Sequence, residues 1–193
     1  NKGLAWFDKT SFVSFDPVFK GKKILSLYVP YPGSMWVGTV SGAYLINTSS
    51  LKVEKLLSIK DGLCDSTITA IASTPDNKIF FGTPNGISIL ESGSVSTILA
   101  AEGLPDNAIT ALTADKKGKL WVGTPQGLSK YENNKFIQYV LSGPFGANRI
   151  VSLFVDRENN LWAGTLNGLY KHSGDLFSSW SAENGLSGAF VFP

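Results

Sequence analysis

The residues that could do chemistry are few. One histidine, His172, and one cysteine, Cys64, are the whole supply of imidazole and thiol in 193 residues. Nucleophilic and acid-base catalysis need a nucleophile beside a base or two carboxylates at a fixed separation, and a metal needs several His, Cys, Asp or Glu converging. His172 lies in Lys171-His-Ser-Gly174, which reads as a solvated turn. With so little imidazole and thiol, only a carboxylate and carbonyl site for calcium is chemically open. Asp156-Arg-Glu-Asn-Asn160 has that look. Its counterpart 41 residues earlier, Asp115-Lys-Lys-Gly118, makes a hairpin turn capped by an aspartate the better reading of both. Cys64 stands where Pro105 stands 41 residues later, so it reads as a neutral substitution and not a reactive thiol. The glycine-rich segments lack the lysine and following helix of a phosphate loop. No two carboxylates recur on one face at the separation a glycosidase uses. The residues assign no catalytic group, no metal and no cofactor.

Composition narrows the class further. Hydrophobic residues make up 43% and charged residues 17%, enough to build a core and too apolar for disorder. Lys plus Arg number 17 against 15 Asp plus Glu, a net charge of +2 with no block of like charge, so there is no electrostatic case for nucleic acid or an anionic membrane. A neutral ligand or a protein partner suits such a surface. The apolar runs fall far short of the roughly 20 residues that cross a bilayer as a helix, so direct membrane insertion is not expected. One cysteine leaves the redox compartment open. Asn1 opens directly onto patterned sequence, as a processed chain would.

What must position any site is a repeat. Trp36-Val-Gly-Thr-Val-Ser-Gly42 recurs as Phe80-Phe-Gly-Thr-Pro-Asn-Gly86, Trp121-Val-Gly-Thr-Pro-Gln-Gly127 and Trp162-Ala-Gly-Thr-Leu-Asn-Gly168. The first glycines, Gly38, Gly82, Gly123 and Gly164, are 44, 41 and 41 residues apart, and Ile24, Ile68, Ile109 and Ile150 each precede them by 14. Asp61-Gly-Leu63, Glu102-Gly-Leu104 and Asn184-Gly-Leu186 keep the same phase, with a degenerate copy at Ser142-Gly-Pro-Phe145. Within one repeat, Ile109 to Ala114, Leu120 to Thr124, Leu128 to Tyr131 and Lys135 to Tyr139 read as short strands A to D separated by turn residues. Helical periodicity is nowhere sustained. Four short antiparallel strands at a period near 41 residues are the signature of a β-propeller blade.

Side-chain size agrees. Ser26, Ala70, Ala111 and Ser152, two positions after each isoleucine, are small, as the crowded axis requires of an innermost strand. Trp36, Phe80, Trp121 and Trp162 sit on strand B and read as interblade core. The expected architecture is all-β: a propeller of four-stranded antiparallel blades spanning about 24–58, 68–99, 109–139 and 150–180, with partial blades at 1–16 and 188–193. Gly3 to Phe7 and Ser11 to Phe15 align with strands C and D, and Val191 falls two periods after Ile109. A missing strand B between them would leave edges unpaired, which favours a piece of a larger propeller over a closed five-bladed ring.

The best copy runs Glu102-Gly-Leu-Pro-Asp-Asn-Ala-Ile-Thr-Ala-Leu-Thr-Ala-Asp-Lys-Lys-Gly-Lys-Leu-Trp-Val-Gly-Thr-Pro-Gln-Gly-Leu-Ser-Lys-Tyr131, and it closely resembles the two-component regulator propeller repeat. The resemblance extends over essentially the whole chain. It implies a periplasmic or extracellular sensor propeller of a membrane-bound hybrid histidine kinase, often one that responds to carbohydrate. Other members sit in secretion-associated and surface proteins. The sequence departs from the pattern at Phe80, at 142–145, and at Pro30 and Thr74, where the turn aspartate is expected.

In an antiparallel blade the D-to-A and B-to-C loops share one end, so variable polar residues there line the axial mouth. These are Asp61, Asp65, Asp106, Asn107, Asn148, Arg149 and Asn184 in the D-to-A loops and Asn85, Gln126 and Asn167 in the B-to-C loops. Loops on a rigid scaffold often carry binding groups, and amides and carboxylates match sugar hydroxyls. The bland reading is that they satisfy turn backbones. Arg149 is the most informative, because it replaces Ala108 and turn chemistry does not ask for it. The leading expectation is a non-catalytic sensor propeller for an oligosaccharide or other small neutral ligand, with the rest of its propeller and a membrane-bound signalling partner beside it. A protein-interaction scaffold, marked by an exposed apolar patch, and a propeller lyase or hydrolase are the alternatives.

Overall fold

The computed structural model describes residues 3–7, 9–15, 18–141, 148–174, 176–188 and 191. The degenerate stretch at 142–145 lies outside them, as do several positions of the two partial blades. The described residues form four four-stranded antiparallel sheets and one hairpin, as the repeat predicts. Blade I comprises β3 (Ile24–Tyr31), β4 (Ser34–Thr39), β5 (Gly42–Asn47) and β6 (Lys52–Leu57), after the hairpin of β1 (Ala5–Phe7) and β2 (Phe12–Ser14). Blade II comprises β7 (Ala70–Ser73), β8 (Ile79–Thr83), β9 (Gly86–Glu91) and β10 (Ser94–Ile98). Blade III comprises β11 (Ala111–Ala114), β12 (Leu120–Thr124), β13 (Gly127–Glu132) and β14 (Lys135–Tyr139). Blade IV comprises β15 (Ile150–Val155), β16 (Leu161–Thr165), β17 (Gly168–Ser173) and β18 (Leu176–Trp180). Each sheet is ordered as its chain runs, and the first strands meet in series, β3 on β7, β7 on β11 and β11 on β15.

The axis is crowded, and the repeat's small residues answer that. Ser26 pairs with Gly38, Ala70 with Gly82, Ala111 with Gly123 and Ser152 with Gly164. Into each small pair the next blade drives a branched side chain. A Cβ on Gly82 would meet Ile109 Cγ2 at 2.6 Å, and one on Gly123 would meet Ile150 Cγ2 at 2.4 Å. These glycines are therefore close-approach residues, not turn residues. The isoleucines also hold the seam by backbone: Ile68 N–H donates to Thr39 O (2.8 Å) and Ile109 N–H to Thr83 O (2.9 Å), both in the preceding blade. That is why β7 and β11 start two residues later than the sequence reading of strand A, which counted Ile109 and Thr110 in it. Val191 N–H makes the same bond to Thr165 O at 3.2 Å.

Cores lie between blades. Cross-strand pairing sets a row on the face each blade turns to the next: Tyr28, Trp36, Leu45 and Lys55 in blade I, and Thr113, Trp121, Lys130 and Ile137 in blade III. Trp36 packs edge-on against Phe81 of blade II (5.0 Å between ring centres), and Phe80 lies near Tyr131 of blade III (6.5 Å). Trp36, Phe80 and Trp121 are buried, in keeping with an interblade role. Trp162 is half-buried, stacked on Trp180 at 5.6 Å with its indole N–H donating to Asp156. A fourth cluster joins blade I to Phe15 and Phe19.

Candidate functional site

At the loop end predicted to form the axial mouth, most polar groups serve the backbone. The Asp/Glu/Asn-Gly-Leu landmark is a tight helical turn with its cap. Asp61 accepts hydrogen bonds from Ser58 N–H (2.9 Å) and Oγ–H (2.8 Å), and Glu102 accepts from Leu99 N–H (2.8 Å). The following Gly62 and Gly103 take φ of 103° and 111°, which favours glycine, and Leu63 and Leu104 are buried. Asn184 repeats the cap through its Oδ1, which accepts from Ser181 N–H. The bonds from Ser58 hold the Asp61 carboxyl below the usual range.

The threonine of each Gly-Thr has a more definite role than ending a strand. Thr39, Thr83, Thr124 and Thr165 are fully buried, and each donates its hydroxyl to the carbonyl of Gly42, Gly86, Gly127 or Gly168 at 2.9–3.0 Å. The same oxygen accepts from the N–H of Ser41, Asn85, Gln126 or Asn167 at 3.0–3.2 Å. One hydroxyl thereby fixes the two-residue B-to-C turn of every blade.

The other predicted residues divide between committed and open side chains. Asp65 Oδ1 accepts from Thr67 N–H and its Oδ2 from Asn85 Nδ2 (2.7 Å), which brings a D-to-A loop and a B-to-C loop together at one end. Asp106 accepts from Ala108 N–H, Asn107 from Ala100 N–H and Asn148 from Leu141 N–H. Arg149 and Gln126 are exposed and Asn167 half-buried, and their side chains bond to no described residue. The arrangement leaves these three at this end open to a ligand.

Open space lies at the opposite end of the blades, which the sequence reading passed over. Three clefts occupy equivalent places in the three seams, each under a strand-B aromatic. The I/II cleft holds about 370 Å³, the II/III cleft about 220 Å³ and the III/IV cleft about 230 Å³. The last has a charged and aromatic lining that includes Lys117, Lys119, Lys130, Trp121 and His172. Glu132 pairs with Lys119 at 2.9 Å and Lys130 at 3.3 Å, and these ammoniums hold its carboxyl below the usual range. Burial works against the Lys130 charge, but Tyr139 and Glu132 outweigh it and raise the lysine.

His172 is not a solvated turn residue. It lies in β17, half-buried, with ring centres 5.1 Å from Trp121 of the preceding blade and 4.7 Å from Phe177. The repeat held the clue, because His172 is 41 residues after Tyr131, which packs on Phe80 in the same way. Asp156 is the turn cap expected of it. Its Oδ1 accepts from Glu158 and Asn160 N–H, and its Oδ2 from Trp162. Partial burial opposes its charge, yet the bonds from Asn160 and Trp162 win and bring it down to about 2.

Comparison with known proteins agrees with this geometry. The family model described as two component regulator propeller matches residues 103–126 and 144–167. No curated protein sequence matches the chain. Among solved structures, the extracellular domain assigned to the hybrid two component system BT3049 of B. thetaiotaomicron is similar at a TM-score of 0.85 and 18% identity, over 97% of this chain and 27% of that one. The corresponding domain of BT4673 from the same organism gives 0.67 and 21%, over 100% and 33%. Virginiamycin B lyase from Staphylococcus aureus gives 0.67 and 14%, over 82% and 55%. At these identities the likeness is one of fold, and the chain spans a third or less of the two-component chains. Among the described residues, no helix is long and apolar enough to cross a membrane. Both matched segments hold a strand-B tryptophan and the Gly-Thr that follows it, the first also holds the Gly-Leu landmark, and these two segments match the two-component regulator propeller repeat.

Proposed function

We propose that this chain is a non-catalytic, ligand-recognising part of the sensor propeller of a hybrid two-component signalling protein, exposed in the periplasm or at the cell exterior. The observation that carries the reading is the family match on two successive repeats, supported by the shared fold of the B. thetaiotaomicron extracellular domains. The ligand class that suits it is an oligosaccharide or a similar small neutral solute. At the loop end, the side chains of Arg149, Gln126 and Asn167 bond to no described residue and can meet hydroxyl groups, as can the amide N–H groups of Asn107 and Asn148, whose side chains accept through their oxygens. The rest of a larger propeller and a membrane-bound kinase are the partners this reading requires.

The test is the output of the full-length protein. Autophosphorylation should change on addition of one member of an oligosaccharide panel, and Arg149→Ala should blunt the response. A response to no saccharide, with phosphorylation intact, would remove the ligand class. A scaffold role draws on one observation, the exposure of Trp6, Phe7 and Phe12 on the β1–β2 hairpin. Stable capture of a protein partner by that hairpin, lost in Phe12→Ser, would favour it.

A further inference from the structure

We propose a second ligand site, in the cleft between blades I and II at the end opposite the loop mouth, built to take a pyranose-sized polyhydroxylated ring against Tyr31. The repeat supplies its own control. Features needed for blade packing recur in every seam, so features confined to one seam call for another cause. All three seams have a cleft under Trp36, Phe80 or Trp121, and of these three the I/II cleft, at about 370 Å³, is the one within the range of roughly 300–1,000 Å³ typical of small-molecule sites; a more open space of about 320 Å³ with no strand-B aromatic adjoins it and shares Pro30, Ser73 and Asn77.

Its lining differs in kind. The II/III and III/IV clefts are edged by charges that neutralise one another, Lys78 with Asp76 and Glu91, and Lys119 and Lys130 with Glu132. The I/II cleft has an apolar floor of Trp36, Leu45 and Ile79 with Lys55 and Asn77 at its edge. Neither Lys55 nor Asn77 bonds through its side chain to a described residue, while Ser73 Oγ is shared with the Tyr28 hydroxyl at 2.8 Å. An apolar body with a few polar groups is the usual make-up of a small-molecule site.

The hairpin above it is also unlike the others. Blades III and IV turn from strand A to strand B on a capping aspartate, Asp115 or Asp156, and blade II on Thr74. Blade I has Pro30 at that position, its first strand runs on to Tyr31, and pairing resumes at Tyr31 with Ser34 after a register shift. The extension brings Tyr31, 56% exposed, to the lip of the cleft. Leaving so large an aromatic in water has no packing return, whereas its face can receive the C–H face of a sugar ring. The Asn77 amide and Lys55 ammonium then donate to ring hydroxyl oxygens, and the amide carbonyl accepts.

The test uses the same chain with a panel of neutral gluco-, manno-, galacto-, xylo- and arabino-oligosaccharides, read by saturation-transfer NMR and calorimetry. Tyr31→Ala should weaken binding of at least one member tenfold or more, Tyr31→Phe should restore it and Asn77→Ala should weaken it several-fold, with the melting temperature unchanged. Arg149→Ala should leave this binding intact, which separates the site from the loop mouth. Binding that survives Tyr31→Ala while Arg149→Ala abolishes it would overturn this site and keep the loop-end reading. Binding of no member would overturn the site outright.

Discussion

Ser88 and Ser129 occupy the same place in blades II and III, fully buried, but meet different chemistry. Ser88 Oγ accepts from Cys64 N–H at 2.9 Å and lies 3.1 Å from its sulfur. One repeat later the partner position is Pro105, which has no N–H, and Ser129 Oγ is left buried with no hydrogen-bond partner. A buried unpaired hydroxyl costs about 1–3 kcal/mol, so Ser129→Ala should stabilise the protein by about 1 kcal/mol and Ser88→Ala should destabilise it by a similar amount, both measurable by urea denaturation. Cys64 is thus more than a neutral substitution, a point invisible until the two loops are seen against their strands. Asp156 gives a pH signature at the same scale. Its carboxyl falls from 3.8 to about 2 on folding, so its contribution is complete above pH 3.8 and is lost as the pH falls toward 2. Thermal melts from pH 5 to pH 2 should show that loss, and Asp156→Asn should remove the Asp156 part of the slope.

At the level of the element, spacing made the strands legible and hid the seams. The 41-residue phase placed each strand B, because its Trp or Phe and its Gly-Thr are dictated by packing that every blade shares. It misjudged the start of strand A, since Ile68 and Ile109 give their N–H groups to the preceding blade, and a sequence does not say which neighbour a donor serves. The polar loop residues were readable as a set but not in their roles. Asp61, Asp106 and Asn107 look alike to a ligand and to a backbone, and only geometry shows that they cap turns. The I/II cleft was not legible at all, being shaped by a hairpin extension whose sequence trace was Pro30 in place of an aspartate. Gly123→Ala tests the wedge directly. With Ile150 at 2.4 Å from the added methyl, overpacking should cost about 1–3 kcal/mol in chemical denaturation, against little change for Gly188→Ala, where nothing lies within 4 Å and no positive φ is required.

Across the whole molecule, blades interact in series. Between blades, the principal strand contacts join only blades adjacent in sequence, and the buried clusters each span one seam. Stability in such an array is nearly a sum of units and nearest-neighbour interfaces. Phe81→Ala, at a fully buried position in the I/II seam, should cost about 3–5 kcal/mol and raise amide exchange in blades I and II, while blade IV keeps its protection. Equal loss of protection in all four blades would mean one cooperative unit instead.

The buried threonine hydroxyls carry a consequence for how such a protein changes over time. Because Thr39, Thr83, Thr124 and Thr165 hold each B-to-C turn through the glycine carbonyl and a backbone N–H, the turn itself asks little of the two side chains inside it, although Ser41 also meets the Thr39 hydroxyl and Asn85 donates to Asp65. The turn pairs are Val40-Ser41, Pro84-Asn85, Pro125-Gln126 and Leu166-Asn167. Blades III and IV, whose turn side chains make no hydrogen bond to a described residue, therefore offer a two-residue window at the rim that mutation can rewrite without loosening the fold, so new specificity can arise there at little risk to folding.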